Sequence, residues 1–133
     1  MALVVPGEGE IRLLDYIVGK TSPTDVVLHL YTNSVSLGTK TFNTGSFTEA
    51  TATGYAAETL TGSNWSATTS AGVGTSLYNT GVTFTFSSGQ DIQGYYVTDA
   101  GNNILWAEEF PGAPFQLPVG GGDVAVRPQL QLS

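Results

Sequence analysis

The sequence has no cysteine. That excludes a disulfide framework and any thiolate metal site, and it leaves a chain able to fold in a reducing cytoplasm. It has a single histidine, His29, which removes most acid–base and zinc schemes. Positive charge is scarce: Arg12, Lys20, Lys40 and Arg127 stand against 11 Asp and Glu, for a formal charge of −7. Nucleic-acid binders need a basic footprint, and anionic membrane surfaces repel a chain of this sign, so neither partner is expected. No stretch approaches the ~20 apolar residues of a membrane span. The start, MALVVPGEGE, lacks the basic opening of a secretion signal, and its apolar run breaks at Pro6. Charged residues of all kinds make up 11% of the chain, against roughly 25% in an average soluble domain.

Gly, Ser, Thr and Asn fill that gap, a composition closer to β-rich structural and adhesive proteins than to metabolic enzymes. The 133 residues suit one domain with a core of its own.

Residues 1–6 form an apolar tip ending in proline, either an edge strand or frayed terminus, or an arm that docks on a neighbouring subunit. From Glu8 to Val18 the spacing predicts a helix. Ile11, Leu14 and Val18 recur at i, i+3 and i+7, Glu8 and Glu10 occupy the first turn, and Gly19 follows as the stop. Three turns are not stable alone, so the helix is expected to lie against the sheet or a partner. The run DVVLHLY, from Asp25 to Tyr31, reads as a central strand, because both of its faces are largely apolar. Thr32 to Ser46 is a long polar segment, a functional loop or a hairpin with a brief pairing at Thr39 to Phe42. Strands are predicted at Tyr55 to Leu60 and at Asn64 to Thr68, with Trp65 inward, and Thr69 to Thr80 reads as a second loop.

Gly81 to Phe110 carries the clearest strand pattern. Val82, Phe84 and Phe86 alternate with Thr83, Thr85 and Ser87. Runs at Ile92 to Asp99 and Ile104 to Phe110 follow, joined by a turn at Ala100 to Asn103. These three are expected to form a β-meander at the centre of the domain. Pro111 to Asp123 is a proline- and glycine-rich crossing that packs over the sheet or onto another chain. Val124 to Leu132 closes the chain as a strand that Pro128 makes an edge or gives an irregular end, with Val124, Val126, Leu130 and Leu132 inward. The predicted fold is all-β: a two-sheet antiparallel β-sandwich, jelly-roll or Ig-like, with one short N-terminal helix.

Chemistry is sparse. His29 reads as a satisfied core or interface histidine, and without a second histidine Ser and Thr have no convincing triad. Glu108 and Glu109 are adjacent, but neighbours in a strand point to opposite faces, so they do not form a carboxylate dyad. Asp99 to Asn103 is rich in oxygen ligands, yet it lacks EF-hand spacing and turn chemistry explains it. Gly120 to Gly122 has neither the lysine nor the helix start of a phosphate loop. Asn64-Trp65-Ser66 fits a glycosylation pattern, read as chance. Trp65 and Trp106 could build a sugar platform, though core is the better place for both. No catalytic residue, metal or cofactor is expected.

Three segments in order carry a resemblance: VVLHLYTN after the helix; FTEATATGYAAETL, with Trp65 soon after; and VTFTF, IQGYYVTD, ILWAEEF, ending in a C-terminal strand. Together they resemble a family of small structural proteins of tailed bacteriophages. The resemblance implies a non-enzymatic virion component, made in the host cytoplasm and placed on the capsid surface as a cement or decoration protein. A tail- or baseplate-associated adhesion protein is the alternative, and a carbohydrate-binding β-sandwich module a further one. The implied partner is the major capsid protein, with a homo-oligomer expected and a trimer at a local three-fold axis the first arrangement to test. Contacts are expected at the apolar tip (Leu3, Val4, Val5), in the polar segment (Phe42) and in the crossing (Phe115, Leu117, Val119).

Overall fold

The structure, a computed structural model, describes residues 3–132. It is mostly β, in several antiparallel sheets, with one α-helix. The helix α1 spans Gly7–Ile17. It is followed by β1 (Val26–Tyr31), β2 (Glu58–Leu60), β3 (Trp65–Ser70), β4 (Val73–Tyr78), β5 (Val82–Phe86), β6 (Asp91–Ile92), β7 (Gly94–Thr98), β8 (Ile104–Glu109), β9 (Phe115–Gln116), β10 (Gly122–Val126) and β11 (Gln129–Leu132).

The main sheet runs β2-β1-β7-β8. Strand β1 is interior, as its two apolar faces predict, with Leu28 opposite Val97 and Leu30 opposite Tyr95 on β7. Val4 extends the sheet by one bridge beyond β8: Val4 and Ala107 exchange N–H···O bonds of 2.8 and 3.0 Å. The expected tip thus lies on its own sheet from Leu3 onward, while Met1 and Ala2 lie outside the described residues.

Strands β3, β4, β5, β10 and β11 build a second layer. In β11–β4 the paired residue numbers sum to 206, as in Gln129↔Leu77; in β10–β5 they sum to 208, as in Val126↔Val82. The two ladders are therefore one long ribbon interrupted by a bulge, in which Asn79, Thr80 and Gly81 lie opposite Arg127. The Arg127 guanidinium holds the bulge, donating from Nε to the Tyr78 carbonyl (3.0 Å) and from Nη2 to the Asn79 carbonyl (3.1 Å). β3 then flanks β4 through a two-residue turn, Ala71-Gly72, with φ of +51° and +81°. That geometry matches the twist of the strands it joins.

Three corrections to the predicted topology follow. The expected central meander is divided: β7 and β8 form a hairpin, but β5 pairs with β10 in the other layer. The expected loop at Thr69 to Thr80 contains β4, whose Gly, Ser and Thr content hid its alternation. The closing strand is likewise two strands, split at Arg127-Pro128, and Leu132 is exposed rather than inward.

The core lies between the layers: Leu28, Leu30, Tyr95, Val97 and Trp106 from the main sheet meet Phe84, Phe86, Val124 and Val126 from the ribbon. The opposite face of the main sheet is covered by the polar segment after β1. This segment forms two 3-10 turns, Leu37–Thr39 and Thr44–Ser46, instead of a hairpin. It buries Leu37, Phe42 and Phe47 against Tyr31, Tyr96, Ile104 and Ala107. Asn33 ties its two ends, its Nδ2 donating to the Ser46 carbonyl (2.9 Å) and its Oδ1 accepting from the Thr48 N–H (2.8 Å).

α1 ends as predicted, at a Gly19 with φ of +77°, and of the two expected neighbours of its apolar stripe, the sheet or a partner, the sheet is not the one it meets. Gly9 sits against β8, where a Cβ would fall 2.1 Å from the Leu105 carbonyl oxygen. Gly9, Leu13 and Tyr16, at i, i+4 and i+7, form the inward face. Ile11, Leu14 and Val18, the stripe expected to lie against the sheet or a partner, are 61, 59 and 73% exposed, and Ile17 beside them is 76% exposed. Backbone contact through a glycine brings helix and strand closer than the bulkier stripe allows, which is why that stripe faces out.

Candidate functional site

Polar side chains meet most closely at His29. Its Nδ1–H donates to Glu49 Oε2 (2.8 Å), since a carboxylate only accepts, and Nε2 lies 2.9 Å from Thr98 Oγ1. Glu49 Oε2 also accepts from the Tyr55 hydroxyl at 2.6 Å, and that hydroxyl accepts the Leu30 N–H at 3.1 Å. The imidazole stacks on Tyr96 (4.6 Å), which stacks on Phe47 (4.4 Å). Burial, with the Glu49 hydrogen bond second, pushes the Tyr55 phenol well above its ordinary value.

Thr98, His29 and Glu49 thus stand in the order of a hydroxyl, a base and an orienting carboxylate. The sequence hid this because the three lie on β7, on β1 and in the segment before β2. Thr98 is 1% exposed, however, and Tyr96 covers the ring. A carbonyl substrate has no approach to the hydroxyl, so the arrangement joins β1, β7 and the Glu49 segment rather than presenting a nucleophile.

The Asp99 turn is internally satisfied. Asp99 Oδ1 accepts from the N–H groups of Gly101 and Asn103 (2.9 Å each), and Oδ2 accepts from the Tyr16 hydroxyl (3.1 Å). Burial works to raise this carboxyl, but the Asn103 backbone and side-chain donors, Tyr16 and Gly101 outweigh it and hold it below the usual range. Arg12 joins through Asn103 Oδ1 (3.1 Å), so the turn anchors α1. Among the described residues no three His, Asp or Glu side chains gather as a metal ion would require, and no helix is long and apolar enough to cross a membrane.

Glu108 and Glu109 point to opposite faces, as expected. Glu108 accepts from the Tyr95 hydroxyl at 2.8 Å, and burial, then the Glu108 charge, raises that phenol. Trp106 is 3% exposed and Trp65 is half-buried, edge-on to Trp106 (6.2 Å) and Tyr78 (5.1 Å). Trp106 is thus closed to a sugar, while Trp65 keeps part of its surface open.

The seven expected contact residues do not form one surface. Phe42 and Leu117 are buried and belong to the two cores, which corrects both: an apolar side chain in a polar loop is the residue that pins the loop down. Phe115 is 47% and Val119 92% exposed, in the crossing. Leu3, Val4 and Val5 are half-buried and line one wall of an open groove of about 610 Å³. Leu13, Leu14 and Ile17 of α1 and Leu130 and Leu132 of β11 supply the rest of its apolar lining. Lys40, paired with Glu10, closes one side.

The exposed stripe of α1 adjoins this groove. Sequence reasoning found its residues and expected them to lie against the sheet or a partner; the sheet is not what covers them. The signal available was Gly9, which marks a second, narrower face of the same helix. No protein-family model, curated protein or solved structure matches the chain.

Proposed function

We propose that this is a non-enzymatic structural protein of a phage virion, one that binds the outer capsid surface and stabilises contacts between capsomers. The observation that supports it is the apolar face left uncovered by the fold: Leu14 and Ile17 on α1 and Val18 just after it, with Leu132 across the groove, are each more than half exposed. A chain with 11% charged residues can keep so much apolar surface in water at a cost that a partner surface recovers, at roughly 25 cal/mol per Å² covered. A protein that binds only the assembled shell stabilises that shell by mass action. The sheet layers act as the frame, and a jelly-roll or Ig-like sandwich is the finer description we propose for them.

The test uses particles assembled with and without the protein. Particles without it are expected to open at lower temperature and at low salt, and to regain resistance when the protein is added back. Equal resistance in both would refute cementing. Labelled protein found on the tail alone would move the role to tail or baseplate.

A further inference from the structure

We propose that β3 is a self-pairing edge, through which two copies of this chain join antiparallel into one sheet that runs β11-β4-β3-β3-β4-β11. The inference concerns a different surface from the α1 groove and stands or falls apart from the cementing role.

The ladder identifies which backbone groups are open. Tyr78 N–H donates to the Pro128 carbonyl (3.0 Å), so the even-numbered residues of β4 bond to β11. Asn79 N–H donates to the Asn64 carbonyl (2.9 Å), so Ser66, Thr68 and Ser70 bond to β4. By alternation the N–H and C=O groups of Trp65, Ala67 and Thr69 point away from the sheet. Among the described residues none of them has a hydrogen-bond partner, and every residue from Ser66 to Ser70 is exposed.

Natural edges are blunted by charge, proline, bulges or brevity. β3 has none of these: six residues, WSATTS, in an unbroken register. A three-stranded sheet exposed along its outer strand has an unfilled ladder, and the group that fills it is another extended backbone.

Charge favours a second copy as that backbone. The chain carries −7, yet no Asp, Glu, Lys or Arg occurs between Glu58 and Asp91, and none follows Arg127. The whole β11-β4-β3 sheet is therefore uncharged, and two acidic copies meet there without opposing carboxylates. The register is also self-complementary. With the two-fold axis at Ala67, Ala67 faces Ala67, Trp65 faces Thr69 and Ser66 faces Thr68, and all the outward groups find partners. This two-fold pair takes the place of the trimer expected from the resemblance.

The absence of cysteine makes the test direct. Ala67 and its copy would sit as a hydrogen-bonded pair with Cα atoms ~5.5 Å apart, within the range a disulfide spans. Ala67→Cys is expected to give a covalent dimer on mild oxidation, while Glu58→Cys, on β2, is expected to give no disulfide-linked dimer. In sedimentation of the full chain the native protein is expected to dimerise. Ala67→Pro, which removes an outward N–H that β4 does not use, is expected to weaken the dimer about thirtyfold through the two bonds lost at the axis. Ala67→Lys, which opposes two like charges, is expected to weaken it about fivefold. Circular dichroism checks that each variant is folded, and the lysine variant serves if the proline variant is not. A native chain that stays monomeric, a trimer, or a dimer indifferent to both substitutions would overturn the proposal.

Discussion

Gly9 of α1 rests directly on the Leu105 backbone of β8, and no side chain fits between them. A Cβ at position 9 would lie 2.1 Å from the Leu105 carbonyl oxygen. This contact fixes which face of the helix turns inward, and so leaves Leu14, Ile17 and Val18 in solvent. Gly9→Ala is expected to displace α1 and to lower stability by about 1–3 kcal/mol, as overpacking does. Gly38→Ala, with nothing within 4 Å of the added atom, is expected to change little. Urea unfolding of both variants checks this; equal midpoints would show that the helix does not depend on the close approach.

His29 is held on both ring nitrogens, by Glu49 and Thr98. His29→Ala leaves a cavity beside Tyr96 and removes a partner from each neighbour. It is expected to cost about 2–4 kcal/mol in urea unfolding. A loss under about 0.5 kcal/mol, the level of an ordinary surface change, would mean that these two hydrogen bonds do not hold the fold together.

The Arg127 side chain bridges two carbonyls in the bulge of the long ribbon. Arg127→Ala is expected to cost about 1–2 kcal/mol, and Arg127→Lys to recover only part of it, because one ammonium does not reproduce the guanidinium fork. Thermal unfolding of the two variants gives the comparison; full recovery by lysine would show that charge alone matters.

Asp99 sets an acid limit on stability. Its folded pKa lies below the ordinary carboxylate value of ~3.9. Its contribution is therefore fully present above that value and is lost as pH falls through the lower, folded one. Asp99→Asn is expected to be less stable than the native chain at pH 7, with the difference shrinking toward pH 3. A difference independent of pH would show that the carboxylate charge is not what the turn uses.

Much of the fold is legible in the sequence where one interaction dominates. Leu28 and Leu30 alternate with His29 and Tyr31, and β1 is buried on both sides. Gly19 ends α1, and the strands on either side of Pro128 lie at sheet edges. Legibility fails where the decision is made by distant partners. VTFTF alternates as any strand does, and nothing local says that it pairs with β10 instead of β7. β4 is built of residues with modest strand preference and is held by pairing on both edges. Phe42 and Leu117, partner contacts in the reading the resemblance implies, are the side chains that fasten a polar segment and a proline-rich crossing to the core. Thr98, His29 and Glu49 come together only through the sheet.

The central claim is that the uncovered α1 face carries the function, and binding to shells that lack the protein tests it most directly. Leu14→Glu with Ile17→Glu replaces exposed side chains, so the fold is expected to survive. Co-sedimentation with such shells should be saturable for the native chain and reduced at least about tenfold for the double variant, the equivalent of about 1.4 kcal/mol. Equal binding by a folded double variant would contradict the account.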